Sequence, residues 1–415
     1  MSILTWSCDT ASNIEPPDDS FFTKFYGNEG DQEGVDAVVN PDGTITLFGT
    51  TEEVNFGKQL YLVNIQSNGL INWERTYGAD KNEIAKDIIL TNDNRLALVA
   101  DIENTSTEHD ILVLTLSLDG GILASDTISY NNGTSPTDET ANSITQISDG
   151  FIVAGSTNNL DVKPGGASGP VNDTRDALFV RLFDDLTVYP SIWKEALGPG
   201  SFDEAIKVVE FSPNLFYMFT NSDKPNLDGD INFNIIGLGS TGEGNAANDF
   251  LLGQAGSNET LSTVAFSPVE SGEGFLLAGI SQTPGSSADI YIVKLRKDLN
   301  FNSSDIQVQK TLAIDLGIVS QAKVSAVASA GSGFYILAND KSTGAQNFYL
   351  TKIDNSGFVV WDDAVIFGGE GDDSIGSVLE LPDGSIGIIG TFAVGRDGET
   401  KMTFIKVNKE GKFKE

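Results

Sequence analysis

The amino-acid sequence predicts an all-β fold: a seven-bladed β-propeller with four antiparallel strands per blade, the ring closed by an N-terminal strand that completes the last blade. Three observations predict it. The stretch YGNEGDQEGVDAVVNPDGTITLFG, from Tyr26, returns near the end as FGGEGDDSIGSVLELPDGSIGIIG, from Phe367. The chain between them is a series of short β-branched or aromatic runs bounded by Gly, Asp and Asn, and none keeps a 3.6-residue amphipathic period over helical length. The last unit stops after three strands, while an unassigned strand precedes the first.

Superposing the two quoted stretches sets Tyr26 on Phe367, Gly27 on Gly368, Asp31 on Asp372 and Asp42-Gly43 on Asp383-Gly384. The same frame fits at Tyr77, Gly78, Asn82 and Asp93, and again at Asp138 and Asp149, with looser copies from Gly198, Gly253 and Val319. Each unit opens with a half-apolar run such as VDAVVN or KDIILT, which leads to a turn. An apolar run closing on a small residue follows, as in GTITLFG, RLALVA, GFIVAG and GFLLAG. A third run comes after a loop of variable length (QLYLVNI, DILVLTL, DIYIVKL), then a fourth, often with Trp (INWERTYG, SIWKEALG, VVWDDAVIFG). Seven units of roughly fifty residues, four strands each, match the scale of propeller blades. The unassigned FFTKFYG reads like the fourth run that KVNKEGKFKE lacks, so the first strand should complete the last blade and remove the open sheet edges. The two matching stretches should then lie in neighbouring blades.

Composition bounds the chemistry. The 415 residues carry a net charge of -34, from 59 acidic and 25 basic side chains, which repels phosphate backbones and argues against a nucleic-acid partner. One cysteine, Cys8, and one histidine, His109, leave no internal disulfide and no Cys/His metal cluster. No apolar run is long enough to cross a bilayer. The opening MSILTWSCDTASNIEPPDDS, a short apolar stretch ending in Ser7 before Cys8 and followed by an acidic, Pro-containing tether, resembles the end of a bacterial lipoprotein signal. It departs from that pattern in having no basic start and in Thr5, where Leu is usual. The resemblance implies that Cys8 is lipidated, with residues 1–20 a signal remnant and tether and 21–415 the propeller. The recurring acidic turn, the DG or GF before an apolar strand ending in Gly, and runs such as DIYIVKL resemble bacterial secreted and lipoprotein β-propellers of the kind common in Bacteroidota. That likeness implies a lipid-anchored protein of the outer membrane, on the cell surface rather than its periplasmic face. It implies no reaction, because propellers carry many unrelated functions.

Loops joining blades and loops between second and third strands should share one face, and both sets are acidic. Glu29, Asp31, Asp372 and Asp373 head the candidates for docking a basic protein partner; the bland alternative is that a repeated Asp ties off its own turn through backbone amides. The longest insert, Ser156–Asp176, offers Asp161, Lys163, Asp173 and Arg175 as a second contact element. Asp223, Asp228 and Asp230 place oxygen ligands close together in a loop that would suit Ca²⁺, although the closing Glu of a calcium loop is missing; no other cofactor is expected. For catalysis, His109 has no candidate nucleophile beside it, and only acids such as Asp36 and Asp87, placed to line the central channel, offer a carboxylate pair. The expected function is a non-catalytic scaffold or interaction subunit of an envelope protein complex. A surface glycan- or nutrient-binding lipoprotein is the alternative, with Phe56 the main loop aromatic for stacking on sugar, and a polysaccharide-cleaving enzyme comes third.

Overall fold

The computed structural model describes residues 20–414, leaving out 54–56, 79–80, 106, 131–136, 159–174, 190–193, 198–201, 224–229, 241, 243, 268–272, 319–322 and 395–397. The described strands form seven four-stranded antiparallel sheets, arranged as the blades of a β-propeller. Among the described residues the one helical element is the short 3₁₀ turn Ser303–Asp305, and no helix is long and apolar enough to cross a membrane.

Blade 1 runs outward from an inner strand, Gln32–Val39, through Ile45–Glu53 and Gly57–Ile65 to an outer strand, Ile71–Tyr77. Blades 2 to 6 repeat that order from inner strands Asn82–Leu90, Glu139–Ile147, Asp203–Ser212, Asn258–Ser267 and Val324–Ala328. Blade 7 takes its first three strands from Ser374–Glu380, Ile386–Val394 and Glu399–Val407, and its outer strand from Phe22–Tyr26. The register pairs Phe22 with Lys406 and Tyr26 with Met402, so the ring closes as the sequence predicts. The two matching stretches therefore begin blades 1 and 7, side by side.

The burial pattern explains the four kinds of run. Second and third strands are covered on both faces by the neighbouring blades, which is why they read as unbroken apolar runs; Leu60 to Ile65 is buried at every position. Outer strands face solvent, and Ile71–Tyr77 has no buried residue. The core is divided into seven clusters, one in each wedge between adjacent blades. The closing wedge, between blades 7 and 1, gathers Phe22, Tyr26, Leu47, Tyr61, Val63, Ile389, Met402 and Phe404. Each such side chain contributes about 1.5–3 kcal/mol on burial, so every blade depends on both neighbours.

A second device joins the blades. Six of the seven inner strands carry a register shift, at Gly34/Asp36, Ala85/Asp87, Ala141/Ser143, Ala205/Lys207, Leu261/Thr263 and Ile375/Val378. A bulge frees a backbone N–H from its own ladder. In five places the residue just before the shift donates that N–H to a side chain on the second strand of the preceding blade. Ala85 donates to Thr50 Oγ1 at 3.0 Å, Ala141 to Asp101 Oδ1 at 2.8 Å and Leu261 to Asn221 Oδ1 at 2.7 Å. Ile375 donates to Asn339 Oδ1 and Gly34 to Thr391 Oγ1, both at 3.0 Å. The small residue that ends each second run precedes these acceptors, and the backbone passes close beside it: a Cβ on Gly155 would lie 1.9 Å from the carbonyl oxygen of Thr140.

Candidate functional site

The bulged inner strands surround a central channel of about 470 Å³. The residue following each shift faces into it, and these positions hold Asp36, Asp87, Ser143, Lys207 and Thr263 on blades 1 to 5. Asp36 and Asp87 thus lie where the sequence places them. Asp36 Oδ2 accepts the N–H of Ile88 at 3.4 Å, and Asp87 Oδ2 accepts that of Ile144 at 2.8 Å, so each carboxylate reaches the next blade. Ser143 Oγ continues the series by donating to the carbonyl of Ile206 at 2.8 Å, and on blade 6 Ser325 Oγ accepts from the N–H of Val378 at 3.2 Å.

Charge in the channel is balanced: Glu33, Asp36 and Asp87 face Lys86, Lys207 and Lys323. Burial raises the Asp87 carboxyl far above the usual carboxylate range, to about 7; Lys207 pulls it back, while the neighbouring Asp36 charge and a hydrogen bond to Asp36 raise it further. Lys323 is open to the channel, where desolvation holds its ammonium below the usual lysine range despite Asp36, Glu33 and Asp87 nearby. Lys86 is committed to the buried Asp101 at 2.8 Å. Glycosidases keep their two carboxyl groups about 5–9.5 Å apart to admit sugar or water. Asp36 and Asp87 each accept a backbone N–H of the next blade, which ties blade 1 to blade 2 and blade 2 to blade 3 along the channel wall.

On the face formed by the inter-blade and second-to-third loops, the acids divide into two sets. Glu83, Glu139, Asp203 and Asp373 are buried. Asp373 was expected on the docking rim and is instead fully covered: Oδ2 accepts the N–H of Gly369 at 3.1 Å and Oδ1 that of Ala393 at 2.9 Å, and burial lifts its carboxyl above the usual range. Gly368, at φ +157°, has no room for a side chain because Asn347 and Asp373 fill that space. Asp31 and Asp372 are exposed but each fastens its blade to the one before. Asp31 Oδ1 accepts from Thr400 N at 2.8 Å; Asp372 Oδ1 accepts from Gln346 N at 2.8 Å and pairs with Lys341 at 3.1 Å. Glu29 and Glu52 are exposed beside Asp31 at the blade 7/blade 1 seam, and Glu370 is exposed beside Asp372 at the blade 6/blade 7 seam.

Arg175, predicted for the long insert's contact surface, turns inward. Its guanidinium donates to Ser156 Oγ and Thr140 Oγ1 and lies 3.6 Å from Asp138 Oδ2, while Asp138 Oδ1 is 2.6 Å from Nδ1 of His109. His109 stands at the start of a strand of blade 2, Glu108–Leu116, not in a loop, and this cluster ties blade 2 to blade 3. Asp161, Lys163 and Asp173 lie outside the described residues, as do Cys8, Phe56 and Asp228. Of the calcium candidates, Asp223 Oδ1 accepts from Phe202 N at 2.8 Å and Asp230 Oδ2 from Gly256 N at 2.7 Å, each fastened to a different turn. Among the described residues no three acidic, His or Cys side chains converge as metal ligands. Sequence reasoning passed over Lys207, Lys323 and the polar acceptors Thr50, Asp101, Asn221, Asn339 and Thr391. The acceptors had a signal: each directly follows the last small residue of a second run, or Thr220 in its place.

No family model matches the chain, and no curated protein does. Similarity to solved structures is extensive but distant. The plexin A4 extracellular region superposes with a TM-score of 0.54 at 13% identity over 94% of this chain, which spans about half (47%) of that one. A Dyadobacter fermentans protein of unknown function matches with a TM-score of 0.50 at 8% identity, covering 92% of this chain and 97% of that one. Drosophila Semaphorin 1a, extracellular domains 1–2, gives 0.50 at 10% identity, covering 94% and 88%. These likenesses share the propeller fold.

Proposed function

We propose that this propeller is a non-catalytic interaction subunit of a bacterial envelope protein complex, held at the outer membrane through lipidated Cys8. The observation that carries the reading is the acidic rim on either side of blade 7. There the repeated acidic turn is presented at two successive junctions, with Glu29, Glu52 and Glu370 exposed beside Asp31 and Asp372, which are occupied by inter-blade ties. Such a surface suits a basic protein patch, because complementary charge steers encounter and sets register. The net charge of -34 adds to the same field. Channel carboxylates that hold one another and their neighbouring blades favour a structural part for the one acid pair that could have served hydrolysis.

The test is gentle detergent extraction of the C-terminally tagged protein from its native membranes, with mass spectrometry of what copurifies, for the natural chain and for the triple variant Glu29→Lys, Glu52→Lys, Glu370→Lys. A stoichiometric partner is expected, associating about tenfold or more slowly with the variant and in a salt-dependent way. A propeller that comes away alone, or a variant that keeps its partner with unchanged salt dependence, overturns the reading.

A further inference from the structure

The face opposite the acidic seam carries a different pattern. In an antiparallel four-strand blade, the turn from third to outer strand lies at the end away from the inter-blade loops. In four blades this turn packs against the blade before it. Tyr26 donates its hydroxyl to the carbonyl of Gly69 at 3.0 Å, and Tyr77 to that of Gly120 at 2.6 Å. Gly357 abuts Ile292 and Val308, and Gly411 abuts Val365 and Trp361. Within three residues after each of these four glycines the chain turns large apolar side chains out to solvent: Leu70 and Ile71, Ile122 and Leu123, Phe358, and Phe413. Exposures of 57% at Ile122, 60% at Phe358 and 45% at Phe413 are high for such residues. The four turns belong to blades 6, 7, 1 and 2, which are consecutive around the ring. The matching turns of blades 3 and 5 carry Leu186, which is buried, and Leu299, which is half-buried.

Lysines stand among these apolar tips. Lys310 lies 3.6 Å above the Phe358 ring, Lys24 reaches the carbonyl of Asn68, and Lys409, Lys412 and Lys414 are exposed on either side of Phe413. Three acids at this end are tied down: Asp119 accepts from Ser117 Oγ and Gly121 N, Asp354 from the N–H groups of Ser356 and Phe358, and Asp383 from Ser385 and Lys406, while Glu410 is exposed 3.9 Å from Lys409. The first described residues lie at the middle of this arc: Ser20 and Phe21 border a groove lined by Asn68, Lys406 and Lys409 together with Asp383 and Glu410, on blades 1 and 7.

We infer that this face lies against a lipid surface, with the apolar tips of blades 6, 7, 1 and 2 entering the headgroup layer and the lysines meeting its phosphates. The inference rests on the anchored reading, since four separated tips of one or two side chains bind weakly alone and act once the chain is already held at the membrane. It also fixes orientation: the acidic seam then points away from the bilayer.

Cys8 is the one cysteine, so a membrane attachment can be imposed without relying on natural lipidation. The full chain is coupled through Cys8 to a maleimide lipid in vesicles of phosphatidylethanolamine and phosphatidylglycerol, and backbone amide exchange is compared with that of the thiol-blocked, uncoupled chain. Exchange at 66–71, 117–123, 354–360 and 408–413 is expected to slow about fivefold or more, with 29–33 and 370–373 unchanged. In the variant Leu70→Ser, Ile71→Ser, Ile122→Ser, Leu123→Ser, Phe358→Ser, that protection disappears while coupling and thermal stability remain. Uniform protection, protection of the acidic face, or concentration-dependent protection without vesicles, which would assign the face to a second copy, overturns the inference. Absence of an acyl mass on Cys8 of the native protein overturns the anchored reading instead and is read in a separate measurement.

Discussion

Asp87 shows how one side chain couples the ring to pH. Its carboxyl is raised to about 7 by burial first, against the pull of Lys207, so the folded chain keeps a proton that the unfolded chain has already released. Between the ordinary carboxylate value and about 7 the folded state binds more protons, and stability therefore falls as pH rises through that window. The unfolding midpoint should drop from about pH 5 to about pH 8, and Asp87→Asn, which keeps an acceptor for Ile144 and a donor for Asp36, should flatten the slope and recover about 1–3 kcal/mol at the alkaline end. Calorimetry at fixed ionic strength checks both. Composition and strand pattern placed Asp36 and Asp87 on the channel wall, because alternation along an inner strand is visible in VDAVVN and KDIILT. Their mutual hydrogen bond was not legible, since it depends on a bulge that brings two blades together. The same limit hid the burial of Asp373: nothing in FGGEGDDS distinguishes the acid that folds into the turn from the one beside it that stays in water.

Each blade reads clearly as an element because its strands live in different environments: the second and third are buried on both faces, the inner alternates along the channel wall, and the outer is open to solvent. The N-terminal strand Phe22–Tyr26 is the sharpest case. Its two buried rings, Phe22 and Tyr26, complete the wedge with Leu47, Tyr61 and Phe404. Removing residues 1–26 should cost about 3–6 kcal/mol from those rings alone and leave Glu399–Val407 as an open edge. Denaturant unfolding should show the loss, and size-exclusion chromatography should show association of the truncated chain through that edge. The inter-blade clasps were half legible. Their acceptors recur at one place in the frame, but the N–H groups they bind become available only through the register shifts, which leave no fixed residue type behind: Val35, Lys86, Asn142, Ile206 and Ser262 occupy the same extra position.

At the scale of the whole molecule, the charge of -34 works against compactness. Much of the acid load is recruited into holding blades together, and the remainder repels across the ring. Raising ionic strength from about 20 mM to about 300 mM should therefore raise the thermal midpoint by a few degrees, a shift that scanning calorimetry resolves. The ring itself was legible from an arithmetic of strands, whereas the two-sidedness of the molecule was not, because the acidic seam and the apolar tips come from residues scattered over the chain. The pairing of Phe22 with Lys406 carries one more consequence, in time instead of space. As the polypeptide is made, Phe22–Tyr26 has no partner until Glu399–Val407 has been added. Six blades can stack while Phe22 and Tyr26 wait, and the ring closes last, through a contact between strands on opposite sides of all the others in sequence. Long-range closure of that kind is slow.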